Sequence, residues 1–148
     1  MGLIPLTIAL DSNVFIAALS GDETYSDTAQ KLIRNIQSGR FNAIYSVIVL
    51  AEVLGSGTSL NKKVTINGFF GSLANSQPIV VDTSIANLAG GLRQRHAKLR
   101  LPDAIHLATA LDQKADHFIT NDLILAKIAK GIIPTKTLAG YDEVLESR

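Results

Sequence analysis

The chain alternates short apolar runs with longer stretches in which apolar residues recur every three or four positions. Leu6-Thr-Ile-Ala-Leu10 is an apolar run that stops at Asp11, the pattern of a buried strand. Between Asp22 and Ser38, Ala29, Leu32, Ile33 and Ile36 fall on one stripe and Gly39 follows, which predicts an amphipathic helix and its stop. Asn42 to Ser46 predicts a second strand, and Val47 to Leu54 a helical or mixed segment. Leu60 to Asn75 predicts another helical stretch with Val64, Phe69, Phe70 and Leu73 apolar, although Gly68 and Gly71 weaken the pattern. Pro78-Ile-Val-Val-Asp82 predicts a strand and Thr83 to Ala97 a helix. Pro102 suits the first turn of a helix running to about Lys114. His117 to Thr120 predicts a strand, Asn121-Asp122 a turn, and Leu123 to Lys130 a short helix. Ile132 to Leu138 predicts a last strand and Tyr141 to Glu146 a final helical turn.

Strands separated by helices, with each strand apolar on both faces, predict an α/β three-layer sandwich around a mostly parallel sheet. No internal repeat, low-complexity stretch or Pro-rich linker divides the 148 residues, so residues 1–148 are expected to form one domain. Composition narrows the class. Hydrophobic residues make up 47% and charged residues only 18%, which argues against disorder. The absence of cysteine excludes a disulfide scaffold, a thiolate zinc site and a cysteine nucleophile. No apolar run approaches the ~18–20 residues of a membrane span, and the first residues show neither a charged n-region nor a cleavage site, so no export signal is expected. A cytoplasmic protein without membrane attachment is the expectation.

In parallel sheets, sites form beyond the carboxyl ends of the strands, where the strand order reverses. Four acids fall at such places. Asp11 follows the first strand, in Ala9-Leu-Asp-Ser-Asn-Val-Phe15, where a helix cap is the simple explanation. Glu52 is isolated in the apolar run Val47-Ile-Val-Leu-Ala-Glu-Val-Leu54, where a carboxylate is costly to bury, and a bound cation explains it better than a helix edge. Asp103 follows Pro102 at a helix start, which the macrodipole favours in any case. Asp122 sits between strand and helix in Phe118-Ile-Thr-Asn-Asp-Leu-Ile124 and also suits a cap. If the topology reverses after the third strand, the first and fourth strands are neighbours and all four acids converge on one crevice. Four carboxylates do not all stay ionised there without cations, because like charges raise one another's pKa. Oxygen-liganded ions such as Mg²⁺ or Mn²⁺ suit such a site, whereas zinc favours histidine or cysteine.

With these residues in view, the sequence resembles the PIN-domain family and, within it, VapC-like toxins. The match is carried by Leu10-Asp-Ser-Asn-Val14, the isolated Glu52, Leu101-Pro-Asp-Ala-Ile-His-Leu-Ala-Thr-Ala110 and Ile119-Thr-Asn-Asp122, and it spans essentially the whole chain. The resemblance implies a parallel sheet of order 3-2-1-4-5 and a Mg²⁺- or Mn²⁺-dependent endoribonuclease with one or two ions. It implies the toxin half of a toxin–antitoxin pair, commonly dimeric and held inactive by a small antitoxin. By matching position, Asp11, Glu52, Asp103 and Asp122 become the catalytic, metal-binding acids, with Asn13 and Thr120 as supporting polar residues. Metal-assisted phosphodiester hydrolysis needs no side-chain nucleophile, in keeping with the missing cysteine and the lack of any Ser-His-Asp arrangement.

Other features change the picture less. Arg93-Gln-Arg-His-Ala-Lys-Leu-Arg100 lies in an acid-free stretch from Ser84 to Pro102 and directly precedes Asp103. Arg93, Arg95, Lys98 and Arg100 are therefore candidate RNA contacts, against the alternative of a solvated helix face. Lys62 and Lys63 are a weaker instance. His106 lies one turn after Asp103 and reaches the same region, but a packed or hydrogen-bonded histidine is the commoner outcome than a ligand. Asp82 and Asp116 border strands and read as caps or ion-pair partners, and Phe69 and Phe70 as core or a dimer surface. At 5% aromatic content, RNA reading mainly by stacking is disfavoured.

A second function class is a non-toxin PIN-fold subunit for RNA processing or RNA-binding assembly. An acidic phosphatase or receiver domain is weaker still, since no lysine partner for Asp11 is evident. The formal charge of +1 conceals an uneven distribution. With the four acids neutralised by metal, nine acids face fourteen bases and the remainder carries +5, as a nuclease binding a polyanion requires.

Overall fold

Strands and helices alternate along the computed structural model, which describes residues 4–20, 24–56 and 60–141. Strand β1 (Leu6–Leu10) leads into helices α1 (Ser12–Ser20) and α2 (Ser26–Gln37), followed by β2 (Phe41–Ser46), α3 (Ile48–Leu54) and α4 (Leu60–Ser72). The second half contains β3 (Ser76–Ile79), α5 (Thr83–Arg95), α6 (Leu101–Asp112), β4 (His117–Ile119), α7 (Leu123–Ala129) and β5 (Thr135–Lys136). A 3-10 turn at Leu138–Gly140 follows. All strand pairings are parallel and the order is β3-β2-β1-β4-β5, as the resemblance implies.

Alternate residues of the central strands serve opposite faces, the period of two that pleating imposes. Ile8 and Leu10 pack with Leu32, Ile36, Phe15 and Tyr45 in one core, under α1 to α4. Ala9, Ile44 and Phe118 pack with Ile85, Leu107 and Leu125 in the other, under α5 to α7. Two cores separated by one sheet make the three layers. The Ala29, Leu32, Ile33 and Ile36 stripe of α2 is buried as its spacing predicts. Phe69 and Phe70 join Phe15 and Tyr45 in an aromatic cluster with ring centroids 5.0–6.4 Å apart, so they serve the core.

Several boundaries differ from the sequence pattern, each for a physical reason. The pattern assigns nothing to Ser12–Ser20, which forms α1: Val14 to Leu19 is apolar all round, so no polar face reveals the helical period. The predicted helix from Asp22 begins at Ser26; Asp22 and Glu23 lie outside the described residues. Strand β3 starts earlier than predicted and ends at Ile79, because its partner β2 ends at Ser46, directly opposite. Val80 is left 71% exposed, and Gln77 and Pro78 are also exposed, so the expectation of strands buried on both faces fails at this edge. Pro78 is tolerated there because an edge strand needs fewer donors. Only Thr135 and Lys136 of the predicted last strand pair, since β4 offers just Phe118 and Ile119 to them. Of the predicted final turn, residues 142–146 lie outside the described residues, as do the side chains of Lys62, Lys63 and Val64.

Candidate active site

Strand β1 separates α1 from α6, and the sheet order reverses between β1 and β4. Beyond their carboxyl ends the chain diverges into α1 on one side and α7 on the other, which opens the crevice that the topology rule anticipates. Asp11 caps the end of β1: its N–H donates to the Ile119 carbonyl at 3.0 Å and keeps the two strands in register one residue beyond the sheet. The residue is 2% exposed. The Thr120 hydroxyl donates to Asp11 Oδ2 at 2.7 Å, and the Ser12 N–H donates to Oδ1 at 2.7 Å. Burial drives the Asp11 pKa above its ordinary value of 3.8. The nearby Asp103 charge pushes it the same way, against opposing effects from His106, Thr120 and Ser12.

The two supporting polar residues predicted from the sequence tie the strand ends together. Asn13 Oδ1 accepts the Asn121 N–H at 2.9 Å, while its Nδ2 lies 3.5 Å from Thr120 Oγ1. Thr120 Oγ1 also accepts the Asp122 N–H at 3.1 Å. Thr120 thus sets the positions of both Asp11 and Asp122 and is completely buried. Asp122 is the N-cap of α7, its Oδ1 accepting the N–H groups of Ile124 and Leu125 at 2.9 and 3.1 Å. The cap occupies one oxygen only, so capping and cation binding are compatible for this residue.

Glu52 enters from α3, a helix that packs on both α1 and α6. Its carboxylate bonds to Nε2 of His106, and because an ionised carboxylate only accepts, Nε2 is the donor. Burial raises the Glu52 pKa, but the His106 hydrogen bond and charge, the Ser12 hydroxyl and Arg100 together bring it below its ordinary value of 4.5. His106 Nε2 also stands 3.7 Å from Asp11 Oδ1, so one buried imidazole lies between two of the predicted acids. Its Nδ1 has no hydrogen-bond partner among the described residues. The hydrogen-bonded outcome expected for His106 is the one observed.

Asp103 sits in the first turn of α6 and is 7% exposed. It is held by Arg100, whose Nε and Nη2 donate to its two oxygens at 3.0 and 3.5 Å. Arg100, Asp103 and Asp122 line one cavity of about 120 Å³ together with Lys98. Of the basic run, Lys98 and Arg100 therefore flank the acids. Arg93 instead donates to the Leu99 carbonyl at 3.3 Å, and Arg95 is exposed in the last turn of α5. Asp82 caps α5 by accepting the Ile85 N–H, as anticipated, whereas Asp116 accepts the Thr7 N–H across the strands rather than serving as a cap or ion-pair partner.

The four acids share the crevice, but they are not a preformed cage. Among the described residues, no three acidic or histidine side chains present a ready geometry for a metal ion. The full convergence expected from the sequence is corrected to that extent: Glu52 is drawn to His106, Asp103 to Arg100, and Asp122 to its cap. The donor set still fits a hard divalent cation, because every candidate ligand is a carboxylate and Asp11 is dehydrated beside another acid. Sequence reasoning missed Ser12 and the Arg100–Asp103 pair. A polar residue directly after a strand-ending acid, and a base three residues before an acid at a helix start, were the available signals.

The sequence matches the PIN domain over residues 8–131. No curated protein sequence is similar enough to this chain to count as a relative. Among solved structures, a toxin–antitoxin complex from Klebsiella pneumoniae is 26% identical, with a TM-score of 0.65, covering 90% of this chain and 97% of that one. VapBC2 from Rickettsia felis, bound to a promoter DNA fragment, is 16% identical with a TM-score of 0.69, covering 89% and 98%. VapC20 of Mycobacterium tuberculosis, described as a toxin that cleaves the sarcin–ricin loop, is 15% identical with a TM-score of 0.64, covering 82% and 93%. The order of the sheet, the acids at its switch point and the match along most of the chain give one conclusion: this protein belongs to the PIN domain family, and its likeness within that family is to VapC-type toxins.

Proposed function

We propose that this protein is a Mg²⁺- or Mn²⁺-dependent endoribonuclease acting as the toxin of a VapBC-type pair. The observation that carries this reading is Asp11, a carboxylate almost fully removed from water with Asp103 close enough to raise its pKa further. Such an arrangement is unfavourable alone and is relieved by a cation. Asp11, Glu52, Asp103 and Asp122 are the residues that would hold one or two divalent ions. Bound there, the metal supplies charge neutralisation and an acidified water for attack on a phosphodiester.

The chain's own residues do the remaining work. Thr120 and the Ser12 N–H fix both oxygens of Asp11, so its orientation is set before a cation arrives. Asn13 locks the Asn121–Asp122 turn to α1 and keeps Asp122 at the crevice. His106 bonds to Glu52 and stands beside Asp11, so it ties the position of one acid to the other. Lys98 and Arg100 put positive charge at the rim, where a phosphate backbone would approach. A small antitoxin as inhibitor, a homodimer and a cytoplasmic site of action complete the reading. The first is supported by the toxin–antitoxin complexes among the structural matches. Among the described residues, no helix is long and apolar enough to cross a membrane.

The test is RNA cleavage with and without Mg²⁺ or Mn²⁺, comparing wild type with Asp11→Asn and Asp122→Asn. Metal-dependent cleavage that both substitutions remove is the expected result. Cleavage that survives both substitutions overturns the metal-site reading. RNA binding without cleavage at any metal concentration favours the non-toxin RNA-binding subunit instead. Growth arrest on expression, relieved by a neighbouring small reading frame, is the matching test of the toxin role.

A further inference from the structure

Arg100 is the one base in the run from Arg93 to Arg100 whose side chain is hydrogen-bonded to a candidate metal ligand among the described residues. It is the residue before the first turn of α6, with extended backbone (φ −72°, ψ 155°). A cation at a helix N-terminus opposes the macrodipole, so the local helix gives no reason for it. Its side chain is 72% exposed, yet it folds back so that two of its nitrogens reach the two oxygens of an aspartate only 10% exposed. With its guanidinium partner largely in solvent, the pair contributes little to stability, so stability alone does not account for the placement. The charges of Asp122 and Glu52 also act on the guanidinium, in addition to Asp103. Arg100, Lys98, Asp103 and Asp122 border the same small cavity.

Three acids acting on one guanidinium describe the electrostatic task of a metal ion, performed by a side chain. We propose that Arg100 is an exchangeable counter-ion: it neutralises Asp103 while no divalent cation is bound, and when a cation takes Asp103 it is released to bind an RNA phosphate. The inference rests on the metal-dependent reading above and deepens it by coupling cation entry to substrate binding. Geometry favours the exchange. The guanidinium is the part that is hydrogen-bonded to Asp103, the side chain as a whole is 72% exposed, and rotation about side-chain bonds suffices to redirect it. A phosphate offers the same paired oxygens that Asp103 does, and arginine's planar fork suits both.

The exchange has two consequences of opposite sign. Removing Arg100 eliminates a competitor for Asp103, so Mn²⁺ binds more tightly, by about two- to fivefold given the modest strength of exposed pairs. The same change removes a phosphate contact. RNA binding therefore weakens about tenfold, and its dependence on salt becomes shallower by about 0.7 in log–log slope for a single strand. The experiment measures Mn²⁺ affinity by calorimetry for wild type, Arg100→Ala and Arg100→Gln. Binding of a short 2′-O-methylated single-stranded RNA is then followed by fluorescence polarisation at saturating Mn²⁺ across a salt series. Arg100→Gln keeps most of the stem, so it tests the charge if the alanine variant folds poorly. Tighter Mn²⁺ binding together with weaker, less salt-sensitive RNA binding supports the exchange. Mn²⁺ affinity that is unchanged or reduced in both variants overturns it, as does RNA binding equal to wild type. If wild type itself binds no Mn²⁺, the metal-dependent reading fails and the exchange with it, a result distinct from failure of the exchange alone.

Discussion

The two central strands β1 and β4 are stitched together by an aspartate at each end, and the two ends are otherwise unlike. At the amino end, Asp116 Oδ2 accepts the Thr7 N–H and the Asp116 N–H donates to the Thr7 carbonyl, both at 2.8 Å. Asp116 is exposed, so water solvates its charge while the bond aligns the strands. At the carboxyl end, Asp11 performs a similar stitch through its N–H to Ile119, and its carboxylate accepts from Thr120 and Ser12. That carboxylate is buried and feels Asp103. The hydrogen bonds are of the same kind and the cost of the charge is not. On the proposed reading, what sets Asp11 apart is desolvation that its hydrogen bonds and His106 only partly offset and that a bound cation would relieve.

The largest expected effect exploits that contrast directly. Asp11→Asn keeps the size of the side chain, an acceptor for Ser12 and a group to bond Thr120, but loses the charge. Metal-dependent RNA cleavage is expected to fall by at least about a hundredfold, beyond the usual loss when a residue merely supporting a metal ligand is removed. Asp116→Asn is expected to leave cleavage within about twofold, since distant surface changes are usually near neutral. Equal losses in the two variants would erase the distinction between the ends.

His106 extends the buried end by a further layer, and its contribution is next in size. Its Nε2–H holds Glu52 and lies 3.7 Å from Asp11, so His106→Leu removes the donor while preserving bulk. Cleavage and Mn²⁺ affinity are each expected to fall about 10- to 100-fold, with partial recovery in His106→Gln, whose amide nitrogen can replace Nε2. A loss of stability without any change in Mn²⁺ affinity would mark His106 as packing alone.

How much of this was legible in the sequence follows from how local each signal is. The apolar run ending at Asp11 and the turn Thr120-Asn-Asp122 are contiguous, and each occupies the place that its pattern predicts. Helix α1 was invisible because Val14 to Leu19 is apolar throughout and packs on α2 and α3 and into the core beside β1, leaving no polar stripe. The Glu52–His106 bond joins residues 54 apart and exists only because α3 packs on α6. No spacing rule along the chain carries such a contact. Arg100 was visible as a base near Asp103, but a run of bases looks the same whether it faces water or turns back on an acid.

Within the buried end, Asp11 and Glu52 respond to pH with opposite signs. The Asp11 carboxyl titrates above 3.8 in the folded protein, first because burial disfavours its charge, so the folded state takes up this proton before the unfolded state does. Above its folded pKa the ionised group therefore destabilises the fold. As pH falls through its folded pKa toward 3.8, the penalty fades. Glu52 has the opposite sign: its lowered pKa stabilises the fold above 4.5, and that contribution is lost as pH falls through its folded value. Because both variants retain Glu52, the difference between wild type and Asp11→Asn isolates Asp11. Asp11→Asn is expected to melt at higher temperature than wild type at pH 7, with the gap narrowing on acidification. Added Mn²⁺ should close the same gap by stabilising wild type, by about 2.7 kcal/mol at a hundred times its Kd, and not the variant. A gap independent of both pH and Mn²⁺ would separate the stability of Asp11 from its charge.

The smallest effect belongs to the solvated end. Asp116→Ala deletes the acceptor for Thr7 N–H while leaving the reciprocal backbone bond in place. A net hydrogen bond contributes about 0.5–1.5 kcal/mol, and this one is exposed, so water replaces the lost acceptor and the lower figure applies. Asp116→Asn retains a carbonyl oxygen and is expected to be close to neutral. Chemical denaturation of the two variants resolves the difference, with the midpoint shifted and the slope unchanged. If Asp116→Ala costs as much as a buried hydrogen bond, the β1–β4 register depends on this edge as well as on the Asp11–Ile119 bond. Its cleavage rate would then fall too, because Asp11 and Thr120 meet only while those strands stay aligned.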